Sequence, residues 1–480
     1  MMTWIRDRAI DLLEYLLNLS SEVRRREAVT VVMLLFNVCV LLIAYYVIKT
    51  VREPLIAGTG GSAELKSYAS AFQAVLLLGY LPLYDWVSRR TSRMWLNIGV
   101  LVFFVGCIQL FFLAGWSGWP NIFGVMGSSG PWKWLAENIS LGFVFYVWVG
   151  IFNVSVIAQF WSYANDLYDE STGKRLFPVI AIGATLGAPV GSFTAGQLAG
   201  IGPYVTLQVS AALLVVPILL YPLIERRYCR RRADEEGSDD VYDEAAEDCC
   251  SEKAGGFELI LKNRYLTWVA LFILLLNLVN TTGEYLLSSF IKDAAEAAVA
   301  AGQAESVDAF IQYHWGNFYT VVNVVTVLIQ TFIVSRVLKY FGMKAMIFTL
   351  PFIAFGTYSL LAAGVGLGVY RWAKTAENST DYSLMNTTRA LLWLPTTKSE
   401  QYAAKQTVDT FFVRAGDVLS ALLVFAGTNW LAFGNTSFAG ANLVLIVVWI
   451  LVGAMVLRHF RQLSEERDIS VDEMADEALD

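Results

Sequence analysis

Between Asp381 and Phe425 the chain reads D-Y-S-L-M-N-T-T-R-A-L-L-W-L-P, then T-T-K-S-E-Q-Y-A-A-K-Q-T-V-D-T-F-F-V-R-A-G-D-V-L-S-A-L-L-V-F. Two apolar helices joined by a polar turn at Pro395 fit this pattern. Each carries charges where a membrane span ordinarily has none: Asp381 and Arg389 on the first, Asp409, Arg414 and Asp417 on the second. Arg414 and Asp417 stand three apart, share a helical face and can pair. An ionisable group inside a span costs about 3 kcal/mol on insertion scales, so such groups usually line a polar pathway. The plainer alternative is a set of buried pairs that only fix helix packing.

Other groups could contact a charged solute. Lys49, Arg52 and Glu53 fall within one helical turn before Pro54, and two cations near a helix end suit an anion. Long basic side chains that merely reach headgroups would look the same. Asp166 follows an apolar run, and Glu284 is a lone carboxylate at the end of another. Asp85 followed by Arg89 and Arg90 resembles the loop after the second span of major facilitator transporters, which holds their cytoplasmic gate. The run from Arg336 to Lys344 occupies the equivalent place in the second half, without the acid. Equal placement in the two halves implies a six-plus-six duplication.

The elements that must position these groups follow from composition. Of 480 residues, 56% are apolar and 16% charged, and the mean hydropathy is +0.51. A bilayer asks for about 20 apolar residues per helix. Twelve segments qualify, near 28–48, 67–87, 94–115, 139–162, 176–199, 204–224, 265–290, 315–337, 345–367, 369–394, 406–430 and 439–458. The expected fold is an all-α polytopic membrane protein with about twelve transmembrane helices. They would form two pseudo-symmetric six-helix bundles, the major facilitator fold. A central cavity would be lined by spans one, four, seven, ten and eleven.

Residues 1–26 form an amphipathic cytoplasmic segment, with Trp4, Leu12, Leu13, Leu16 and Leu17 able to lie on the bilayer. Residues 27–224 are the N-terminal bundle, and 225–264 a charged cytoplasmic linker. Residues 265–460 are the C-terminal bundle, and 461–480 an acidic tail. An Ala-rich outer-loop helix is expected over 292–312. Basic residues cluster in alternate connections, which places both termini inside. The net charge of −7 resides in the linker and tail, where the acidic run offsets the basic one, so no nucleic-acid surface is implied. Gly183, Gly187, Gly191, Gly196 and Gly200 form a stripe on the fifth span against which another helix can approach closely.

Several function classes are excluded or disfavoured. No G-x-x-x-x-G-K-[ST] loop is present, which argues against an ATP-driven pump. His314 is interfacial and His459 lies in the tail, leaving no histidine relay or metal site. Cys39, Cys107, Cys229, Cys249 and Cys250 lack zinc spacing and form no disulfide framework. No cofactor motif and no nucleophile-base constellation appear, so an enzyme is disfavoured.

Tyr382-Ser383-Leu384, Thr388-Arg389, Trp393-Leu394-Pro395, Lys405, Val408-Asp409 and Arg414-Ala415-Gly416 resemble the tenth and eleventh spans of the ATP/ADP translocase family. These are the nucleotide transport proteins of plastids and obligate intracellular bacteria. Ala164-Asn165-Asp166 and Lys174 through Pro178 resemble two further motifs of that family, and Arg52-Glu53 its first-span motif. The chain departs from the pattern at Arg389 (a lysine in the family), Ala390 (a glutamate) and Asp417 (a lysine). The resemblance implies nucleotide exchange across a membrane. An N-terminus with neither a cleavable signal nor a Ser/Arg-rich transit peptide points to the bacterial inner membrane, and a multi-pass monomer is expected. Lys49, Arg52, Arg389 and Arg414 would contact the anion. Glu53, Asp166, Glu284, Asp409 and Asp417 would pair with them or carry a proton. A proton-coupled transporter of another solute, driven through Asp417 or Glu284, is the second reading. A membrane scaffold or sensor is the third, and the charges near mid-span weigh against it.

Overall fold

The computed structural model describes residues 25–58, 62–88, 90–116, 140–168, 170–235, 256–397, 400 and 404–466. Residues 1–24 of the N-terminal amphipathic segment, 236–255 of the central charged stretch and 467–480 of the acidic tail lie outside these residues. Helix is the expected outcome for such a sequence, because a lipid-embedded backbone must satisfy every N–H and C=O within its own segment. The order is α1 (Arg25–Ala57), α2 (Ala63–Ser88), α3 (Arg93–Trp116), α4 (Leu141–Leu167), α5 (Glu170–Gln197), α6 (Pro203–Glu235), α7 (Gly256–Lys262), α8 (Arg264–Ala300), α9 (Val307–Phe332), α10 (Val334–Ala362), α11 (Leu367–Thr380), α12 (Asn386–Leu391), α13 (Lys405–Thr407), α14 (Val413–Asn429) and α15 (Asn435–Glu466). A single π turn joins α11 to α12 (Asp381–Met385), and another joins α13 to α14 (Val408–Phe412). Counting each joined run once and leaving out the short α7, the described residues hold twelve long helical stretches. Nine of the described helices are long and apolar enough to cross a membrane. The fold is that of a polytopic all-α membrane protein.

Boundaries carry local signals. The Ser140 hydroxyl accepts from the Phe143 N–H at 3.2 Å and caps α4, and the Asn263 side chain accepts from the Tyr265 N–H at 3.0 Å and caps α8. Gly342, at φ 65°, interrupts α10 inside the Arg336–Lys344 run, so that stretch is a short helix and a break. The 292–312 expectation is corrected: no separate outer helix forms there. Helix α8 continues unbroken to Ala300, and α9 starts at Val307. Alanines and charged residues without Gly or Pro give no reason to stop the helix at the membrane boundary. The stretch beyond Glu225 likewise begins as helix, since α6 runs on to Glu235.

The chain divides into two compact units. One comprises Met1–Thr59, Leu77–Glu247 and Asp308–Thr320; the other comprises Gly60–Leu76, Asp248–Val307 and Val321–Asp480. In the first, α1 is the central helix, packed on α4, α5 and α6. An aromatic ladder of Phe104, Phe111, Phe145, Trp148 and Phe152 fills the space between α3 and α4, with ring centroids 5.0–5.7 Å apart. Helix α5 lies so close to α1 that Cβ atoms at Gly183, Gly187 and Gly191 would fall 2.2, 2.4 and 2.5 Å from the carbonyl oxygens of Leu35, Cys39 and Ile43. Three of the five stripe glycines thus serve backbone contact with one helix. Gly196 meets Gly316 instead, and a Cβ at Gly200 would meet nothing. In the second unit α8 packs against α14 and α15, and α10 against α15 and α11.

Candidate functional site

In the first unit, Arg52 is 8% exposed and Glu53 fully buried. The Arg52 Nε and Nη2 groups donate to Glu53 Oε1 at 3.2 and 2.6 Å. Its guanidinium lies 4.1 Å from the centre of the Tyr146 ring, and the Tyr319 hydroxyl donates to the same Glu53 oxygen at 3.2 Å. The Lys49 ammonium lies 4.4 Å from the Tyr319 ring centre and 5.3 Å from that of Tyr46, within cation–π reach. These three charges therefore sit among aromatic rings inside the protein.

Asp166 is exposed, and it is its backbone carbonyl that engages a partner, accepting from Arg93 Nη1 at 2.7 Å. Of the expected gate residues, Asp85 lies in α2, Arg90 is exposed just beyond it, and Arg89 falls outside the described residues. A neighbouring arginine forms the organised cluster. Arg93 donates to Glu225 Oε1 from Nε at 3.2 Å and Nη2 at 2.9 Å, Tyr163 donates to Glu225 Oε2 at 2.9 Å, and Arg93 stacks over Tyr228. Arg175 pairs with Glu27 at 2.8 Å, tying α5 to α1 at the same end.

The second unit gathers the largest set of charges. Asp381, the first residue of one π turn, lies 3.7 Å from Arg389. Asp417 receives Arg414 Nη1 at 3.2 Å on Oδ2, and Asn277 and Thr281 at 2.8 and 2.9 Å on Oδ1. Glu284 lies 3.5 Å from Lys66, itself 2% exposed. Asp409, in the second π turn, is exposed and borders an open cleft of about 610 Å³ with Trp393, Lys405 and Gln406. Single π turns inserted in α-helices recur at functional sites. Here each of the two carries one of the acids singled out in the sequence.

Two residues at the centre of this set do not stand out in the sequence. Lys374 is fully buried and donates to Glu377 Oε1 at 2.6 Å and to Asn280 Oδ1 at 2.9 Å. Glu377 is 3% exposed. Gly283 makes room for this: a Cβ there would fall 1.9 Å from the Tyr358 hydroxyl and 2.7 Å from the Lys374 ammonium. The signal in the sequence was K-x-x-E, an i,i+3 pair on one helical face of an otherwise span-length segment. Among the described residues, no group of three or more His, Cys, Asp or Glu side chains is placed to hold a metal ion.

No protein-family model matches this chain, and no curated protein matches it in sequence. Solved structures do resemble it. A point mutant of the nucleoside transporter NupG is 13% identical, with a TM-score of 0.59 over 90% of this chain and 98% of that one. A bacterial homologue of the iron transporter ferroportin, in an inward-facing state, is 14% identical with a TM-score of 0.58 over 89% and 98%. A POT family transporter in complex with 5-aminolevulinic acid is 12% identical with a TM-score of 0.57 over 90% and 96%. At these identities the likeness is one of fold.

Proposed function

We propose that the protein is a secondary active transporter of the ATP/ADP translocase type, exchanging a nucleotide or related organic anion across a bacterial inner membrane. The observation that carries this reading is the row of ion pairs on α11, the first π turn, α12 and α14: Lys374–Glu377, Arg389–Asp381 and Arg414–Asp417. A scaffold gains little from charges placed in spans at about 3 kcal/mol each. A carrier gains a set of cations that exchange a protein carboxylate for a substrate anion. Arg389, Arg414, Lys49 and Arg52 are the anion contacts in this reading. The solved structures of similar fold are described as transporters, one of them of nucleosides, which supports it. The protein acts as a monomer in the bilayer, with both termini in the cytoplasm, and needs neither cofactor nor nucleic acid.

A second reading has its own support. Asp417 stands where the family resemblance puts a lysine, and both its oxygens are held by Arg414, Asn277 and Thr281. An acid in place of that lysine reverses the sign at a phosphate contact, and a carboxylate inside a span suits a proton-coupled carrier of a non-nucleotide solute. Reconstitution into liposomes separates the readings. Labelled ATP, ADP and nucleosides are offered with and without internal counter-substrate and an imposed pH gradient. Uptake that requires internal nucleotide supports exchange. Uptake of another solute driven by the gradient alone supports the second reading, and no uptake of any solute in any condition removes both. Orientation is tested on intact cells: an impermeant thiol reagent applied outside should miss Cys229, Cys249 and Cys250.

A further inference from the structure

Glu377 has one carboxylate oxygen on Lys374 and one, Oε2, without a hydrogen-bond partner among the described residues, although the residue is 3% exposed. Buried polar atoms are almost always partnered, and an unpartnered one calls for a physical account. Glu377, Asp381 and Asn280 border a cavity of about 10 Å³ open to the centre of a water molecule, room for a single one, closed by Leu276, Val279, Leu350, Ala354 and Trp449. The space adjoins two carboxylates and an amide inside an otherwise apolar wall.

We propose that Glu377 is a proton-binding site, with Lys374 as the counter-ion it releases when it takes the proton. Three features of the geometry support this. The cavity admits one water, which can deliver a proton to Oε2 and bridge to Asp381. Glu377 in its charged form holds Lys374 at 2.6 Å; in its neutral form it loses most of that attraction, leaving the ammonium to its hydrogen bond with Asn280 and the nearby charge of Asp381. A bound metal cation is disfavoured, since the cavity offers two carboxylates and one amide with an ammonium already on two of those three groups. The charges acting on Glu377 are Lys374 and Asp381 on its own run and Glu284 on α8. Tyr370 and, on α10, Tyr358 face it as neutral hydroxyls donating to the Gly283 and Val279 carbonyls. Arg389 balances Asp381, and Lys66 balances Glu284. Protonating Glu377 therefore changes a locally neutral set by one positive charge, which is what a coupling step requires.

This inference rests on the reading of the protein as a transporter, but proton binding is measurable without a substrate. Infrared difference spectra are recorded on the purified protein in liposomes as pH is stepped from alkaline to acidic. A protonated-carboxyl band is expected in the wild type, lost in Glu377→Gln, shifted in Glu377→Asp and retained in Asp381→Asn. A band that persists in a folded Glu377→Gln protein, or that is absent from the wild type, overturns the proposal. So does a wild-type band that added sodium ions displace at constant pH, because the site would then be a cation site. In parallel, whichever of the labelled nucleotides and nucleosides the wild type takes up, the part of that uptake added by an imposed pH gradient should be lost in Glu377→Gln. A gradient effect that survives in a folded Glu377→Gln protein overturns the coupling role. A wild-type protein that shows the band but transports none of the nucleotides retires the nucleotide reading and leaves the proton site standing.

Discussion

The Arg414 guanidinium donates to Asp417 Oδ2 at 3.2 Å across one turn of α14, while Asn277 and Thr281 of α8 hold the other oxygen of the same carboxylate. Asp417 thus links two helices through three donors. The Asp417 side chain is 12% exposed and that of Arg414 is 30% exposed. Removing one member of a fully buried pair costs about 3–5 kcal/mol, and the partial exposure of Arg414 reduces that to about 2 kcal/mol. Asp417→Asn should lower the melting temperature of the detergent-solubilised protein, and Arg414→Gln added to it should restore part of the loss. If Asp417 carries the coupling proton, counterflow survives in Asp417→Asn while gradient-driven uptake disappears. Unchanged transport and stability in both variants would remove the pair from both structure and mechanism.

Gly283 is the point at which α8 admits the buried lysine. A methyl group at this position collides with the Tyr358 hydroxyl and the Lys374 ammonium. Overpacking of this kind costs about 1–3 kcal/mol, so Gly283→Ala should destabilise the protein and disturb the Lys374–Glu377 pair. Gly106→Ala is the comparison, because a Cβ there meets nothing within 4 Å. Thermal unfolding of the two variants decides it, and equal midpoints would show that the space around Lys374 yields freely.

Much of this fold was legible because the bilayer imposes a length on every apolar run. The segments read near 94–115 and 204–224 reappear as α3 and within α6, and the run over 369–394 as α11, a π turn and α12. Boundaries failed where helix continues past the apolar run, as in α6 and α8, because hydropathy marks the end of the apolar run and not the end of the helix. The site was legible one helix at a time. The Arg414–Asp417 spacing is local, so the sequence exposes it. The Lys66–Glu284 pairing joins residues more than two hundred positions apart, and no spacing rule reaches it. Lys374 and Glu377 escaped because R-W-A-K-T-A-E-N reads as the polar end of a span, whereas the structure buries Lys374, Glu377 and Asn378 completely or nearly so.

At the end of the first unit where α2 meets α3, Glu225 is held by Arg93 and Tyr163 together. The Arg93 and Glu225 side chains are 27% and 20% exposed, so solvent weakens the pair. A double-mutant cycle of Arg93→Ala and Glu225→Ala should show a coupling of about 1 kcal/mol in unfolding. Arg90→Ala, at an exposed residue, should cost less than about 0.5 kcal/mol. The reverse order would return the organising role to the Asp85, Arg89 and Arg90 run.

Arg52 offers the sharpest division between holding the fold and binding an anion. Its guanidinium makes two bonds to Glu53 and stacks on Tyr146, a combination that a lysine ammonium cannot reproduce. Arg52→Met leaves Glu53, fully buried, with the Tyr319 hydroxyl but without its guanidinium. That loss should cost about 3–5 kcal/mol. Arg52→Lys should fall between the wild type and the methionine variant. Replacing both partners, Arg52→Met with Glu53→Met, removes the charge imbalance, and such apolar replacements are often neutral or stabilising. Stability should therefore return in the double variant, as read by thermal unfolding. Transport then gives the second answer. A stable double variant that no longer moves anion assigns the Arg52–Glu53 pair to transport, because no folding defect remains to explain the loss. A stable double variant with wild-type uptake makes the pair a packing element of α1 and strikes Arg52 from the substrate contacts.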